Sequence, residues 1–428
     1  MAFVKNSDTL ATSPQRKIVL DLVEAAFTSI QPDHVMEHNF KIEGNILAIS
    51  NQTFDLSQFN QVFLIGFGKG SAGISKIIET KLGDKLTEGY VIDTNEETFS
   101  KIHFTKGSHP LPSTINAAFT QALLKKIATL QLTEKDLVLV VICGGGSAML
   151  VSPNKISLDQ KIEVNKALLK SGATISEMNV VRKHLSEVKG GGLAAALFPA
   201  MVASLVFSDV PGNDLSVIAS GPTQLDPTTV ENAKEVISKY KLEPEIPFAL
   251  DALHETPKDE NIFKNVHNII VLSNKTSLDA MQNKANELKI SSNIFSDHFE
   301  HEAKNAGQEL INQTKPNSIL LAGGETTVHV TGSGAGGRNQ EVVLGAVSSL
   351  DDKTIICSFD SDGWDNSKFA GAIGDSSTRK KAQELQIDIN VCLNNNSSLE
   401  FFEKTGDGID TGRLPSNVSD LFIVYRHD

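Results

Sequence analysis

Between Gly323 and Glu341 the chain crowds glycines, carboxylates, a guanidinium and amides into one short stretch. It reads Gly323-Gly324-Glu325-Thr326-Thr327, then Val328-His329-Val330, then Gly332-Ser333-Gly334-Ala335-Gly336-Gly337-Arg338-Asn339-Gln340-Glu341. Glycines at that density leave bare backbone N–H groups, which suits the close approach of a polyanion. Arg338 stands where a helical pattern through Asn339 to Leu344 begins, and a helix N-terminus favours negative charge. The chemistry these residues suit is phosphate chemistry. Val328 to Val330 reads as a short strand inside the run.

Other loops carry related signals. Gly66-Phe67-Gly68-Lys69-Gly70-Ser71 follows an apolar run and leads into a helical pattern. It is neither a P-loop, because Gly70 follows Lys69 where a hydroxyl belongs, nor a dinucleotide fingerprint, because Ser71 takes the third glycine position. A strand end, a glycine turn and a helix start still make an anion site, with Lys69 as a point charge above it. Gly144-Gly145-Gly146-Ser147 is a second such turn. Its surroundings lack the G-x-S-x-G pattern of a serine nucleophile, so Ser147 reads as a hydroxyl donor to phosphate or carboxylate. Asn179, Arg182, Ser186 and Lys189 recur at steps of three and four, one face of a helix running to the triplet Gly190 to Gly192. His184 among them reads as a hydrogen-bonded structural residue. Two acidic loops, around Asp209 and around Asp360, Asp362 and Asp365, follow strand-like runs. Such carboxylates hold Mg²⁺, orient a hydroxyl or form solvent-facing turns.

The elements needed to position these loops are legible. Apolar runs at Val62 to Ile65, Leu137 to Cys143, Ala203 to Phe207 and Ile319 to Ala322 each enter a glycine or acidic loop, with helical stretches between. That pattern marks an α/β fold with a mostly parallel sheet covered on both faces, and ligands gather beyond the carboxyl ends of its strands. Residues 11–35 read as one helix, and a strand pair follows near Phe40 to Ile42 and Ile46 to Ile49. Pro244, Pro247 and Pro257 suggest a boundary, dividing the chain into residues 1–245 and a mixed α/β domain of residues 246–428.

At 428 residues the chain holds two sizeable cores, and 40% hydrophobic with 21% charged residues is a soluble globular profile. The formal charge of −13 opposes nucleic-acid or anionic-membrane partners. Three cysteines without CxxC spacing argue against a disulfide framework and a cysteine zinc site, and Cys143, beside a glycine run, reads as a small buried hydrophobe, with a functional thiol as the alternative. No apolar segment is long enough for a membrane span and no secretory signal is legible, so a cytoplasmic protein is expected, monomeric or homodimeric.

Phe67-Gly68-Lys69-Gly70-Ser71, Gly144 to Ala148, Asn179 to Ser186, Ser208 to Gly212, Ile218 to Thr223 and Gly323 to Glu341 together resemble, in order, the glycerate 2-kinases. These have an N-terminal glycerate-kinase domain and a C-terminal MOFRL domain (here about residues 316–426), and the resemblance spans roughly residues 10–426. It implies a Rossmann-like first domain, an active site in the cleft between the domains, and ATP- and Mg²⁺-dependent phosphorylation of D-glycerate at its 2-hydroxyl. Lys69 and Arg338 match the lysine and arginine considered central to that activity.

On this reading Lys69, Arg338 and Asp209 are the catalytic candidates, Asp209 orienting the acceptor hydroxyl or Mg²⁺. Ser147, Arg182, Lys189 and Asn179 would bind the acceptor acid. Gly66, Gly68, Gly144, Gly145, Gly146, Gly324, Glu325, Gly336, Gly337 and Asp362 would line the ATP site, and Asp209 and Glu325 would hold Mg²⁺, unless Glu325 instead fixes Arg338.

The chain departs from the family pattern at Ser113, Asn366 and Leu414. Arg413 and Ser416, beside the last departure, would face the cleft if that loop lines the phosphates. The alternatives are a kinase for another small hydroxy or sugar acid, an NAD(P)-dependent hydroxypyruvate reductase with Asp93 on the ribose, and a non-catalytic sugar-acid sensor. Some members of the family carry the reductase name.

Overall fold

The computed structural model describes residues 2–428. By its contacts the chain divides into two compact units. The parallel unit comprises Met36–Ser208 and Asn213–Val271. The mixed unit comprises the chain up to Val35, Asp209–Gly212 and Leu272–Asp428.

The parallel unit begins with a small antiparallel sheet of β1 (Phe40–Glu43), β2 (Ile46–Ile49) and β3 (Gln52–Asp55). Its main sheet contains β4 (Gln61–Phe67), β5 (Glu88–Asp93), β6 (Ile102–Lys106), β7 (Asp136–Ile142), β8 (Met201–Phe207) and β9 (Val266–Leu272), in the order β6-β5-β4-β7-β8-β9. The pairs β6–β5, β5–β4, β4–β7 and β7–β8 are parallel. All of β7 is buried, as a strand covered on both faces must be. A separate apolar cluster joins the helices Leu158–Lys170, Ile175–His184, Val230–Lys239 and Pro247–Ala252.

The mixed unit contains β10 (Ser291–Phe299), β11 (Ser318–Gly324), β12 (Thr354–Asp360), β13 (Gly371–Gly374), β14 (Gly408–Ile409) and β15 (Asp420–Arg426), in the order β10-β11-β15-β12-β13-β14. Only β10–β11 is parallel among these pairs, and β11–β15, β12–β15, β12–β13 and β13–β14 are antiparallel. Period-two alternation builds two cores. Ile319, Leu321, Ile355, Cys357, Leu421 and Ile423 pack on one face with Val19, Leu22, Val23 and Phe27 of the helix Pro14–Ser29 and with Leu278 and Met281. Leu320, Ala322, Ile356, Phe422 and Val424 pack on the other face with Ala306, Leu310, Val342 and Val343.

The N-terminal helical stretch is two helices, Pro14–Ser29 and Pro32–Asn39. Pro32 has no N–H to continue the first helix and opens the second at a position where that loss is harmless. Val328 to Val330 is irregular chain rather than strand.

Candidate active site

In the parallel unit, the Lys69 N–H donates to the Gly144 carbonyl at 2.8 Å, so the β4 and β7 turns lie against each other. A side chain at Gly68, where φ is 106°, would run into the Cys143 carbonyl. This turn needs a glycine because of the protein's own backbone. Gly66 lies within β4 against Ser75, and Gly145 and Gly146 face His109 and Phe67. Lys69 is exposed, and burial together with the Lys69 charge lowers the pKa of His109.

The helix Ser71–Leu82 already holds an anion at its start. Asp93, at the end of β5, is fully buried and accepts from the Ala72 N–H at 2.9 Å and the Thr94 N–H at 2.6 Å. Burial pushes its carboxyl up, against the pull of those backbone donors. The acid considered for a ribose is therefore engaged as a helix cap.

Ser147, Asn179 and Lys189 come together through one hydrogen-bonded chain. Lys189 Nζ lies 2.8 Å from Ser147 Oγ and donates to the Ser147 carbonyl at 2.9 Å. Ser147 Oγ is 3.1 Å from Ser220 Oγ, which donates to Asn179 Oδ1 at 3.1 Å. Arg182 Nε donates to Asn165 Oδ1 at 3.0 Å. Burial, then the charges of Lys161 and Arg182, hold the Lys189 ammonium well below its ordinary pKa.

The route to this grouping differs from the single helix face expected. The helix ends at His184, and Ser186 forms a bridge with Pro153, so Lys189 reaches the cluster from a turn. Buried His184 uses Nδ1 on the Val180 carbonyl at 2.8 Å, a structural role. Ser220 lies in the Ile218 to Thr223 motif but was given no role, and Lys161 went unnoticed because it belongs to no glycine or acidic run. Only the fold brings them near Ser147 and Arg182.

In the mixed unit a cavity of about 750 Å³ is lined by Glu325, Gly336, Gly337, Arg338, Asp360 and Trp364, among others. Arg338 is fixed on several sides. It pairs with Glu325, its Nε lies 2.7 Å from Asp420 Oδ2, and its NH2 is 3.6 Å from Asp360 Oδ2. Burial alone would lower the guanidinium pKa, but Asp420, Glu325 and Asp360 outweigh it and raise it. Burial pushes Asp420 up to about 7 despite Arg338, and burial with Asp420 and Asp362 raises Asp360 well above the carboxylate range. Asp209 approaches this group through its backbone, whose carbonyl accepts from Ser419 Oγ at 2.6 Å, next to Asp420.

The helix beginning at Arg338 also carries its own anion. Asp365 accepts from the Asn339 N–H at 3.0 Å and the Gln340 N–H at 2.8 Å. Gly337 touches Asp365, Gly336 touches Ser398, and Gly324 touches the Phe299 backbone, each too closely for a Cβ. Close packing by the protein thus accounts for these glycines. Asp362 turns inward on its own loop, accepting from the Trp364 N–H at 2.9 Å. Ser416 is buried and donates to the Ile30 carbonyl at 2.6 Å, so its hydroxyl is engaged within the unit. Arg413 is exposed and stacks over the Trp364 ring, 4.2 Å from its centroid. Asp420 and Trp364 are members of this group that the sequence reading left without a role, and Asp360 stood there only as one of three acids in its loop. The Ser361-Asp362-Gly363 turn drew attention to Asp362, whereas the strand ends on either side carry the groups that touch Arg338.

Two family models match the chain, the domain of unknown function DUF4147 over residues 18–255 and the MOFRL family over residues 318–420. The D-glycerate 2-kinase of Thermotoga maritima is 33% identical over 425 residues, covering 95% of this chain and 97% of that protein. A protein of Agrobacterium vitis with a provisional hydroxypyruvate reductase name is 35% identical over 384 residues, 84% of this chain and 86% of that protein. The crystal structure of the Thermotoga maritima glycerate kinase superposes with a TM-score of 0.83 at 32% identity, covering 96% of this chain and 99% of that one. With both family models in order, and an identity of that level carried across nearly the whole chain, the protein belongs to the glycerate 2-kinase family.

Proposed function

We propose that this chain transfers the γ-phosphoryl group of ATP to the 2-hydroxyl of D-glycerate, giving 2-phosphoglycerate and ADP. Family membership supports the reaction class. The observation that carries the acceptor is the Ser147–Ser220–Asn179 chain closed by Lys189, beside the turn bearing Lys69. A hydroxyl, an amide and a buried amine at one strand end suit a small acid with its own hydroxyls.

Phosphoryl transfer needs positioning and positive charge around the transferred oxygens more than covalent participation by the protein. Lys69 and Arg338 are assigned that charge, lysine as a movable point charge and arginine as an oriented fork. Gly336 and Gly337, in the cavity wall, are assigned to the nucleotide, as are Gly66, Gly68, Gly144 to Gly146, Gly324 and Asp362 near the two groups. Asp209 is assigned to the acceptor hydroxyl or to the metal.

The donor set fits magnesium. Mg²⁺ takes one or two protein carboxylates and otherwise water and phosphate oxygens, and half-exposed Glu325 stands at the cavity wall with Asp360. Among the described residues no group of three or more histidine, cysteine or acidic side chains is arranged to hold a metal by itself. Glu325 and Asp209 would hold it, and bound there it supplies neutralising charge on the phosphate oxygens.

A reductase reading lacks its ribose ligand, since the Asp93 carboxylate is committed to backbone N–H groups. No helix among the described residues is long and apolar enough to cross a membrane, and we assign the protein to the cytoplasm as a monomer or homodimer.

The test incubates the protein with ATP, Mg²⁺ and D-glycerate, follows ADP and NAD(P)H separately, and identifies the product by phosphorus NMR. ADP release with a 2-phosphate product is expected. A 3-phosphate would overturn the regiochemistry, and absence of ADP release with any hydroxy acid would overturn the kinase.

A further inference from the structure

Lys161, on the helix Leu158–Lys170, is 6% exposed, and its ammonium has neither a hydrogen bond nor an ion pair among the described residues. Its basic neighbours Arg182 and Lys189 are hydrogen-bonded, but only to the neutral groups of Asn165 and Ser147. Asn165, one turn along the same helix face, is the acceptor for Arg182 Nε at 3.0 Å. Arg182 lies one turn beyond Asn179, which is joined through Ser220 and Ser147 to Lys189. Three basic side chains thus converge in the parallel unit, and among the described residues none is paired with a carboxylate. Lys183, adjacent to Arg182 in the chain, shows the usual arrangement: it is buried too, but its Nζ lies 3.3 Å from Asp226 Oδ1.

A buried charge without a partner is strongly disfavoured unless an anion comes to meet it. The charges of Lys161 and Arg182 depress Lys189, and Arg182 depresses Lys161, so the three sense one another. A bound anion would relieve all three together. The 750 Å³ cavity that suits a nucleotide belongs to the mixed unit, whereas the group of buried Lys161 and Lys189 with partly buried Arg182 suits an anion of a few atoms.

We propose that Lys161, Arg182 and Lys189, with Ser147 and Asn179, receive the carboxylate of the acceptor, and that Lys161 is a specificity-determining residue restricting acceptors to small 2-hydroxy acids with a free carboxylate. The proposal rests on the phosphotransferase reading above and names the part of the acceptor that the parallel unit recognises.

The test uses Lys161→Met and Lys161→Gln in the full chain. Binding of D-glycerate is measured by calorimetry with a non-hydrolysable ATP analogue and Mg²⁺ present, and kinetic constants are measured for D-glycerate and ATP. D-Glyceramide, the neutral analogue, is titrated in parallel. Both variants should bind D-glycerate at least tenfold more weakly and raise its KM to match, while the KM for ATP stays within twofold and any binding of D-glyceramide is unchanged. Lys161→Met should melt no lower than the wild type, because an apolar chain replaces an unpaired buried cation.

Wild-type-like D-glycerate affinity in both folded variants would overturn the proposal. A rise confined to the KM for ATP would do the same by placing the cluster on a nucleotide phosphate, as would no D-glycerate binding by the wild type. Lys161-dependent binding without ADP release would retain the carboxylate site and discard phosphoryl transfer. ADP release that is indifferent to Lys161 would do the reverse.

Discussion

Lys69 and Arg338 occupy opposite electrostatic settings. Lys69 is exposed at a glycine turn, whereas Arg338 is gripped by Glu325, Asp360 and Asp420. Lys69→Ala should therefore lower kcat by about 10²–10³, equivalent to about 3–4 kcal/mol of lost transition-state stabilisation, with little change in melting temperature. A kcat within threefold of wild type in the folded variant would remove Lys69 from the mechanism. For Arg338 the carboxylates argue otherwise: Arg338→Ala leaves them facing one another and should reduce both activity and thermal stability.

Lys161 gives a pH signature. Burial and then Arg182 lower its pKa to about 8, from an ordinary value of 10.5. Across that window the unfolded chain binds more protons than the folded one, so stability rises with pH. The full effect is about 3 kcal/mol, and Lys189 acts in the same direction. Urea unfolding between pH 8 and 10 without carboxylate ligands should show this rise, smaller in Lys161→Met. An equal slope in the two proteins would place the Lys161 pKa elsewhere.

At the scale of elements, strands and loops were legible to different degrees. The strands around Leu64, Val140 and Leu205 are largely apolar because both faces are covered, and such runs stand out in a sequence. The helix starts at Ser71 and Arg338 were legible as well, but not what fills them. Asp93 caps the first from the end of β5 and Asp365 caps the second from a later loop. Neither sequence separation carries a periodic signal. For the same reason Ser416 looked like a phosphate donor until its partner, the distant Ile30 carbonyl, was known. Asp365→Ala should destabilise the mixed unit by about 1–2 kcal/mol, the usual effect of losing a helix cap. Unfolding in urea measures this, and no loss of stability would show that water replaces the carboxylate.

At the scale of the whole molecule, the helix Pro14–Ser29 belongs with strands made far later in the chain. Its periodicity announces a helix and a buried face but cannot name the partner. Arg16, fully buried, supplies part of the answer by pairing with Asp375 at 2.6 Å and Asp407 at 2.7 Å. Burial raises the Asp375 carboxyl, but the Arg16 hydrogen bond and charge overcome it and bring it to about 2. A depressed carboxyl stabilises the fold above its unfolded value and loses that contribution as pH falls towards its folded one. The contribution should thus be full above about pH 4 and fade towards about 2. Arg16→Leu should lose about 3–5 kcal/mol near neutral pH by stranding two carboxylates. The difference from wild type, followed by acid titration of unfolding, should shrink as Asp375 protonates.

β15 lies at the centre of its sheet, between β11 and β12, although it is the last strand of the chain. On the ribosome this fixes an order of events. Every residue of the parallel unit has been made by Val271, while the mixed unit still lacks the strand that joins its two halves. At about 5–20 residues per second, β11 waits several seconds with an open edge for β15, and an unpaired edge invites other chains. The nascent protein is thus most exposed to misassembly just before β15 is made. A chain stopped at Val418 should reproduce that state permanently, aggregating through the mixed unit while the parallel unit resists protease, and a soluble, fully protected product would refute this order.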